Sequence, residues 1–218
     1  MRHLIPLEAR VLGVLVEKQA TVPDTYPLSL NALIAGCNQK TARSPVIEAT
    51  EGEVQGAIDG LKGLSLVFAG SSSRVPKFEH NTARVLHVPS QAVALLAVLM
   101  LRGPQTAAEL RLNCERLHRF ADISSVEGFL EELAAKPEPM TIKLHRAAGE
   151  REARWAQLLC GEVAQPAQRA GNDERIDGGM NVSAGELLAL RTEQARLAAE
   201  VTELKALVQR MARELGVE

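Results

Sequence analysis

The feature that most constrains this chain is a stretch of pattern that occurs twice. Thr50-x-x-Glu53 is the reciprocal capping signature of a helix N-terminus, and Val54, Ala57, Ile58 and Leu61 follow it at helical spacing. Shifted by 72 residues, Val126, Gly128, Leu130 and Leu133 stand where Val54, Gly56, Ile58 and Leu61 stood. Upstream, Leu33 and Cys37 correspond to Leu110 and Cys114 at a shift of 77. A shift that shrinks along the chain is what extra loop residues in the first copy produce. Two similar units are therefore expected, each with its own inward-facing positions.

In the first copy, residues 7–18 predict a helix with Leu7, Val11, Leu12 and Leu15 on one face. A Pro/Thr/Asp loop follows at 21–27, then a second helix over 28–37 carrying Leu30, Leu33 and Ile34, and a third from Thr50. Residues 65–69 predict a strand and 70–73 a turn. Residues 74–80 predict the returning strand, with Pro76 tolerable only at an edge. The second copy repeats the order: helices over 90–101, from Thr106-x-x-Glu109, and over 122–135, then a hairpin of 141–146 with 152–158. Three helices and a hairpin make a winged helix. The expected fold is mainly α with small β-hairpins: two tandem winged-helix (helix-turn-helix) domains, residues 1–86 and 87–160.

Residues 161–182 combine glycine, Pro166 and polar residues without periodicity and predict a flexible linker. From Ser183-x-x-Glu186 onward, Leu187, Leu190, Leu197, Val201, Leu204, Val208 and Met211 alternate three and four apart, with Gln194 in the same stripe. This seam predicts a coiled-coil helix over 183–216. Val201 and Val208 fall at a positions with Leu190, Leu197 and Leu204 at d, which favours two parallel strands and hence a homodimer. The same stripe also suits a helix folded back on its own domains.

Composition narrows the function. The net charge is −2, with 18 Lys and Arg against 17 Asp and Glu in residues 1–160, so affinity for phosphate has to come from local clustering. Aromatic residues are 3% of the chain, too few for a platform that stacks single-stranded bases. Cys37, Cys114 and Cys160 are an odd number without metal spacing and read as reduced thiols of a cytoplasmic protein. The longest apolar run, Ala92 to Leu101, is ten residues where a membrane span needs about 20. His3, His80, His87, His118 and His145 are scattered, and no Gly-rich phosphate loop is present. No enzyme, metal site or cofactor is expected.

Four stretches, NALIAGCNQKTARSPV (31–46), RVPKFEH (74–80), LRGPQTAAELR (101–111) and RLHRFAD (116–122), resemble the bacterial YceH family over residues 5–162. The resemblance implies a tandem winged-helix fold, often with a C-terminal coiled coil. It carries over no catalytic or binding residues.

A winged helix usually offers its third helix to the major groove and its wing to phosphates or the minor groove. Here the outward positions are Glu51, Glu53, Gln55, Asp59 and Lys62 in the first copy, and Glu127, Glu131, Glu132 and Lys136 in the second. Such helices are repelled by a duplex carrying a charge about every 1.7 Å. Positive residues gather instead on the loops and wings: Lys40 and Arg43, Arg74 and Lys77, Arg116 and Arg119, Arg146 and Arg151. These eight are the expected contacts to the phosphates of double-stranded DNA. The competing expectation is a protein scaffold whose acidic third helices meet a basic protein partner. Cys37 and Cys114 read as core positions. Gly52, Gly56, Gly60 and Gly63 predict a soft third helix open to close approach by another backbone.

Overall fold

The computed structural model describes residues 2–70, 75–146 and 150–163. Its first half runs α1 (Pro6–Thr21), a 3-10 turn (Pro23–Thr25), β1 (Leu28–Ser29), α2 (Leu30–Cys37), α3 (Glu51–Gly63), β2 (Val67–Gly70), β3 (Lys77–His80) and α4 (Thr82–Leu86). The second half runs α5 (Ser90–Arg102), α6 (Ala107–Asn113), α7 (Ile123–Ala134), β4 (Thr141–Lys143) and β5 (Trp155–Gln157). The expected order of three helices followed by a hairpin is present twice, and the architecture is mainly helical with small antiparallel sheets.

The helices begin where side chains satisfy orphan amides. Thr50 and Thr106 each cap through Oγ1 to the N–H of Glu53 (3.4 Å) and Glu109 (3.2 Å). The two glutamates reach back to the Thr50 and Thr106 N–H at 2.8 and 2.9 Å, so both expected capping boxes close. Asp122 Oδ1 accepts from Ser125 N–H at 2.7 Å and starts α7.

The duplication extends to strand register. β1, β3 and β2 form an antiparallel sheet in that order, with Leu28 opposite Phe78 and Val67 opposite His80. In the second half Thr141 opposes Gln157, and Gln105 pairs with Trp155 through two backbone bonds of 2.7 and 3.0 Å. The pairs Leu28–Phe78 and Gln105–Trp155 are related by the same shift of 77 residues as the second helices. The short strand at Leu28 and α4 were not foreseen. The returning strand is central rather than at an edge, and it begins only after Pro76, which lacks the N–H that a central strand must donate.

Val54, Ile58 and Leu61 on α3 are buried, as are their counterparts Val126, Leu130 and Leu133 on α7. Cys37 and Cys114 lie in the core as expected. Burial holds both thiols up, to about 11 and about 12, despite nearby arginines.

The first helix differs from its expected one-sided pattern. Every residue from Glu8 to Val16 of α1 is buried, and so is every residue from Ala92 to Leu101 of α5. Helices enclosed on all sides are central ones. α1 and α5 pack directly on each other, and a Cβ on Gly13 would sit 2.9 Å from Leu101 Cγ, so glycine is what permits that approach. One apolar cluster joins Leu12, Leu15, Leu33, Ile58 and Leu66 to Leu96, Leu101, Leu133 and Leu159. A smaller cluster around Leu99, Leu110, Leu130 and Trp155 belongs to the second half. The expected boundary at 86/87 thus falls in the turn after α4, and the core runs across it. The expected linker beyond residue 163 and the coiled-coil positions Leu187, Leu190, Leu197, Val201, Leu204, Val208 and Met211 lie outside the described residues.

Candidate nucleic-acid interface

The outward faces of the third helices are acidic. Glu51, Glu53 and Asp59 on α3 and Glu131 and Glu132 on α7 are exposed. Part of that charge is already engaged. Glu53 completes its cap, Asp59 accepts from Gln55 (3.1 Å) and Lys62 (3.2 Å), and Glu127 lies 3.6 Å from Lys143. The Thr50 hydrogen bonds hold the Glu53 carboxyl below its ordinary range, and those from Gln55 and Lys62 do the same for Asp59.

Of the eight expected cations, Lys40, Lys77, Arg116, Arg146 and Arg151 are exposed, and none of their side chains has a hydrogen-bond or ion-pair partner among the described residues. Lys40 and Arg116 follow α2 and α6, the matching places in the two halves, while Lys77, Arg146 and Arg151 lie in or beside the hairpins. Arg119 is exposed and makes one loose pair with Glu115 at 3.4 Å. Arg74 lies outside the described residues.

Arg43 corrects the expectation. Its side chain is 0% exposed and forms a two-pronged pair with Glu17, Nη1 to Oε1 at 3.1 Å and Nη2 to Oε2 at 2.6 Å. Its Nε donates to the Gly36 carbonyl at 3.0 Å and its Nη1 to Ala42 at 2.9 Å. Arg43 therefore serves the interior: it occupies an unpaired carbonyl at the C-terminus of α2, where the helix dipole favours a cation.

The whole 38–50 loop is tied down in this way. Asn38 and Ala49 exchange two bonds of 2.8 and 2.9 Å, and Ser44 N–H reaches Leu101 O of the second half at 2.8 Å. Arg10, projecting from the buried stretch of α1, donates to Cys37 O at 3.0 Å and Pro45 O at 2.6 Å. Arg10 and Glu17 were not foreseen as partners of this loop. The available signal was a charged residue inside an otherwise apolar helical run, which is affordable only with a partner.

Arg154 is likewise committed, to Glu109 at 2.9 Å and Glu150 at 3.0 Å, and Arg111 donates to Ala121 O. The four glycines of α3 separate into two kinds. At Gly52, Gly56 and Gly63 an added Cβ meets nothing within 4 Å, whereas at Gly60 it would strike the Glu8 carboxylate. The close neighbour is thus a side chain of α1, not another backbone. That Glu8 carboxylate receives Arg2 and the Ile5 N–H, and these bonds, Arg2 foremost, hold it below its ordinary range although burial acts upward.

A family profile described as "Protein of unknown function, DUF480" matches residues 4–150. A UPF0502 protein of Burkholderia vietnamiensis is 66% identical over 218 residues, covering 100% of this chain and 92% of that protein. The chain belongs to this family. A UPF0502 protein of Burkholderia ambifaria is 67% identical over 219 residues with the same coverage, and one of Cupriavidus necator is 64% identical over 217, covering 89% of its length. The matched stretch of the family profile takes in both helical repeats and ends between β4 and β5. Among the described residues no group of His, Cys, Asp and Glu is placed to hold a metal, and no helix is long and apolar enough to cross a membrane.

Proposed function

We propose that this chain is a DNA-associated regulator built from two fused winged-helix modules, which hold the phosphate backbone of a duplex rather than reading its bases. The observation that carries this reading is the placement of the uncommitted cations. Lys40 and Arg116 sit after the second helix of each repeat, and Lys77, Arg146 and Arg151 on the hairpins, while Arg43 and Arg154 are consumed internally. Loop and wing cations fix a protein on DNA without sequence information. The acidic faces of α3 and α7 disfavour the usual insertion of a third helix into the major groove. The winged-helix part of this reading is supported by the order of three helices followed by an antiparallel hairpin in each half, with β1, placed between α1 and α2, adding a third strand to the first sheet. The heptad stripe from Leu187 to Met211 supports a dimeriser that doubles each contact.

The test is a fluorescence-anisotropy titration of a random-sequence duplex against salt. Charge reversal at Lys40, Lys77, Arg116, Arg119, Arg146 and Arg151 should weaken binding to all sequences alike and lower the log–log salt slope by about 1 for each contact removed. No anisotropy change at 25 mM salt with the intact chain would end the DNA reading. A protein scaffold is the second reading, favoured by the exposed acidic residues of α3 and α7 together with Leu112, 69% exposed, and the exposed Ile123. It would then stand alone, with a basic protein surface as partner.

A further inference from the structure

A pocket of about 460 Å3 opens where the two halves meet, and its walls include Leu7, Ile47, Leu99, Met100 and Cys160. Arg10 also lines it. That residue is only 4% exposed, yet among the described residues its guanidinium has no carboxylate partner: two of its nitrogens donate to backbone carbonyls and its Nε is buried with no acceptor there. The carboxylates that α1 brings near it are already engaged: Glu8, itself buried, is held by Arg2 and the Ile5 N–H. Arg43 and Lys18 already share the single carboxylate of Glu17, at 2.6 and 3.3 Å, which leaves the charge on Arg10 uncompensated. A buried, unmatched cation is costly, and native interiors keep one only with a counter-charge or a use for it.

We propose that this pocket binds a small apolar monocarboxylate, its tail against Leu7, Ile47, Leu99 and Met100 and its carboxylate drawn to Arg10. Glu48 and Glu53 also border the pocket, but both side chains are exposed and Glu53 is held by Thr50. Water and salt screen those charges far more than they screen Arg10, and Glu8, whose charge is felt at Cys160, is matched by Arg2 at 2.6 Å. The walls come from α1, the 38–50 loop, α5 and the chain just after β5, so an occupant would touch both halves at once. This inference stands apart from the DNA reading, because it is measured without DNA.

Isothermal titration of the full chain with octanoate, octan-1-ol and octylammonium tests it. Saturable one-to-one binding of octanoate, at least tenfold tighter than the alcohol and with no heat from the ammonium, is the expected result. Equal affinity for acid and alcohol, or no saturation by octanoate below 5 mM, overturns the proposal. Ile47→Trp fills the pocket from the loop and should abolish binding without moving the melting temperature; retained binding in that variant overturns the assigned site. Arg10→Met should lower octanoate affinity at least tenfold while leaving that for octanol unchanged. If that variant does not fold, Arg10→Lys, which keeps the charge, should retain the preference for acid over alcohol, and a lost preference refutes the role of charge.

Discussion

Replacing Arg43 by alanine should cost the fold far more than replacing any of its exposed neighbours. The change removes both prongs of the pair with Glu17 and strips the Gly36 carbonyl of its Arg43 donor. Breaking a buried pair from one side typically costs about 3–5 kcal/mol. Glu17 keeps 15% side-chain exposure and Lys18 at 3.3 Å, so the lower end applies, about 3 kcal/mol. For a folded unit of this size each kcal/mol moves the melting point by roughly 2–4 °C, which gives a drop of about 6–12 °C. The assay is chemical denaturation of Arg43→Ala beside Lys40→Ala, whose loss should stay within about 0.5 kcal/mol. The double variant Glu17→Met/Arg43→Met should recover most of the loss, because replacing both members with apolar groups is often nearly neutral. The pH dependence fixes the cause. Burial pushes the Glu17 carboxyl up, but the Arg43 bonds and charge outweigh it, so the net shift is downward from 4.5. A depressed carboxylate contributes stability that is complete above its unfolded value and is lost as pH falls through the folded one. The gap between wild type and Arg43→Ala should therefore be full at pH 7 and close below about 4.5. A loss under 1 kcal/mol, or weakened DNA binding by a fully stable Arg43→Ala, would refute the assignment of this arginine to the interior.

Other outcomes follow from the same structure. Burial holds His80 down at about 4, so the unfolded chain binds the extra proton first; stability should fall as pH drops from 6.5 toward 4, and His80→Gln should flatten that limb in thermal melts. Gly56→Ala adds a Cβ into open space and should raise stability by about 0.5–1 kcal/mol in urea denaturation, whereas Gly60→Ala meets Glu8 and should lower it. Leu33→Ala and Leu110→Ala, at matched buried positions, should each cost about 2–5 kcal/mol by the same assay. With a thiol reagent at pH 8 the half-buried Cys160 should react first, and Cys37 and Cys114 only after unfolding, since burial holds those two thiols at about 11 and about 12.

Much of the architecture was legible because it is written in local signals. The boxes at Thr50 and Thr106 and the apolar spacing of Val54, Ile58 and Leu61 depend only on residues three or four apart, so they survive translation into structure. Strand pairing is less visible. Leu28 and Phe78 are 50 residues apart, and two-residue strands leave no alternation to detect. The candidate site was legible only in part for a related reason. Lys40 and Arg43 look alike in sequence, both basic and both in a polar loop, and what separates them is whether Glu17, an α1 residue 26 positions before Arg43, lies within reach. A pattern that repeats along the chain reports which faces are apolar. It does not report which cations have a partner waiting on another helix.

The direct packing of α1 on α5 has a mechanical consequence. With Gly13 seated against Leu101, α1 and α5 join the two halves in one apolar cluster, so the two hairpins are carried on a shared core. Whatever engages both must arrive with the matching span or be deformed to it. For a duplex, that bending costs of order 1–6 kcal/mol over 20–30 base pairs, an expense that depends on how easily its steps kink. Under the proposed DNA reading, that cost would favour duplexes whose steps kink easily.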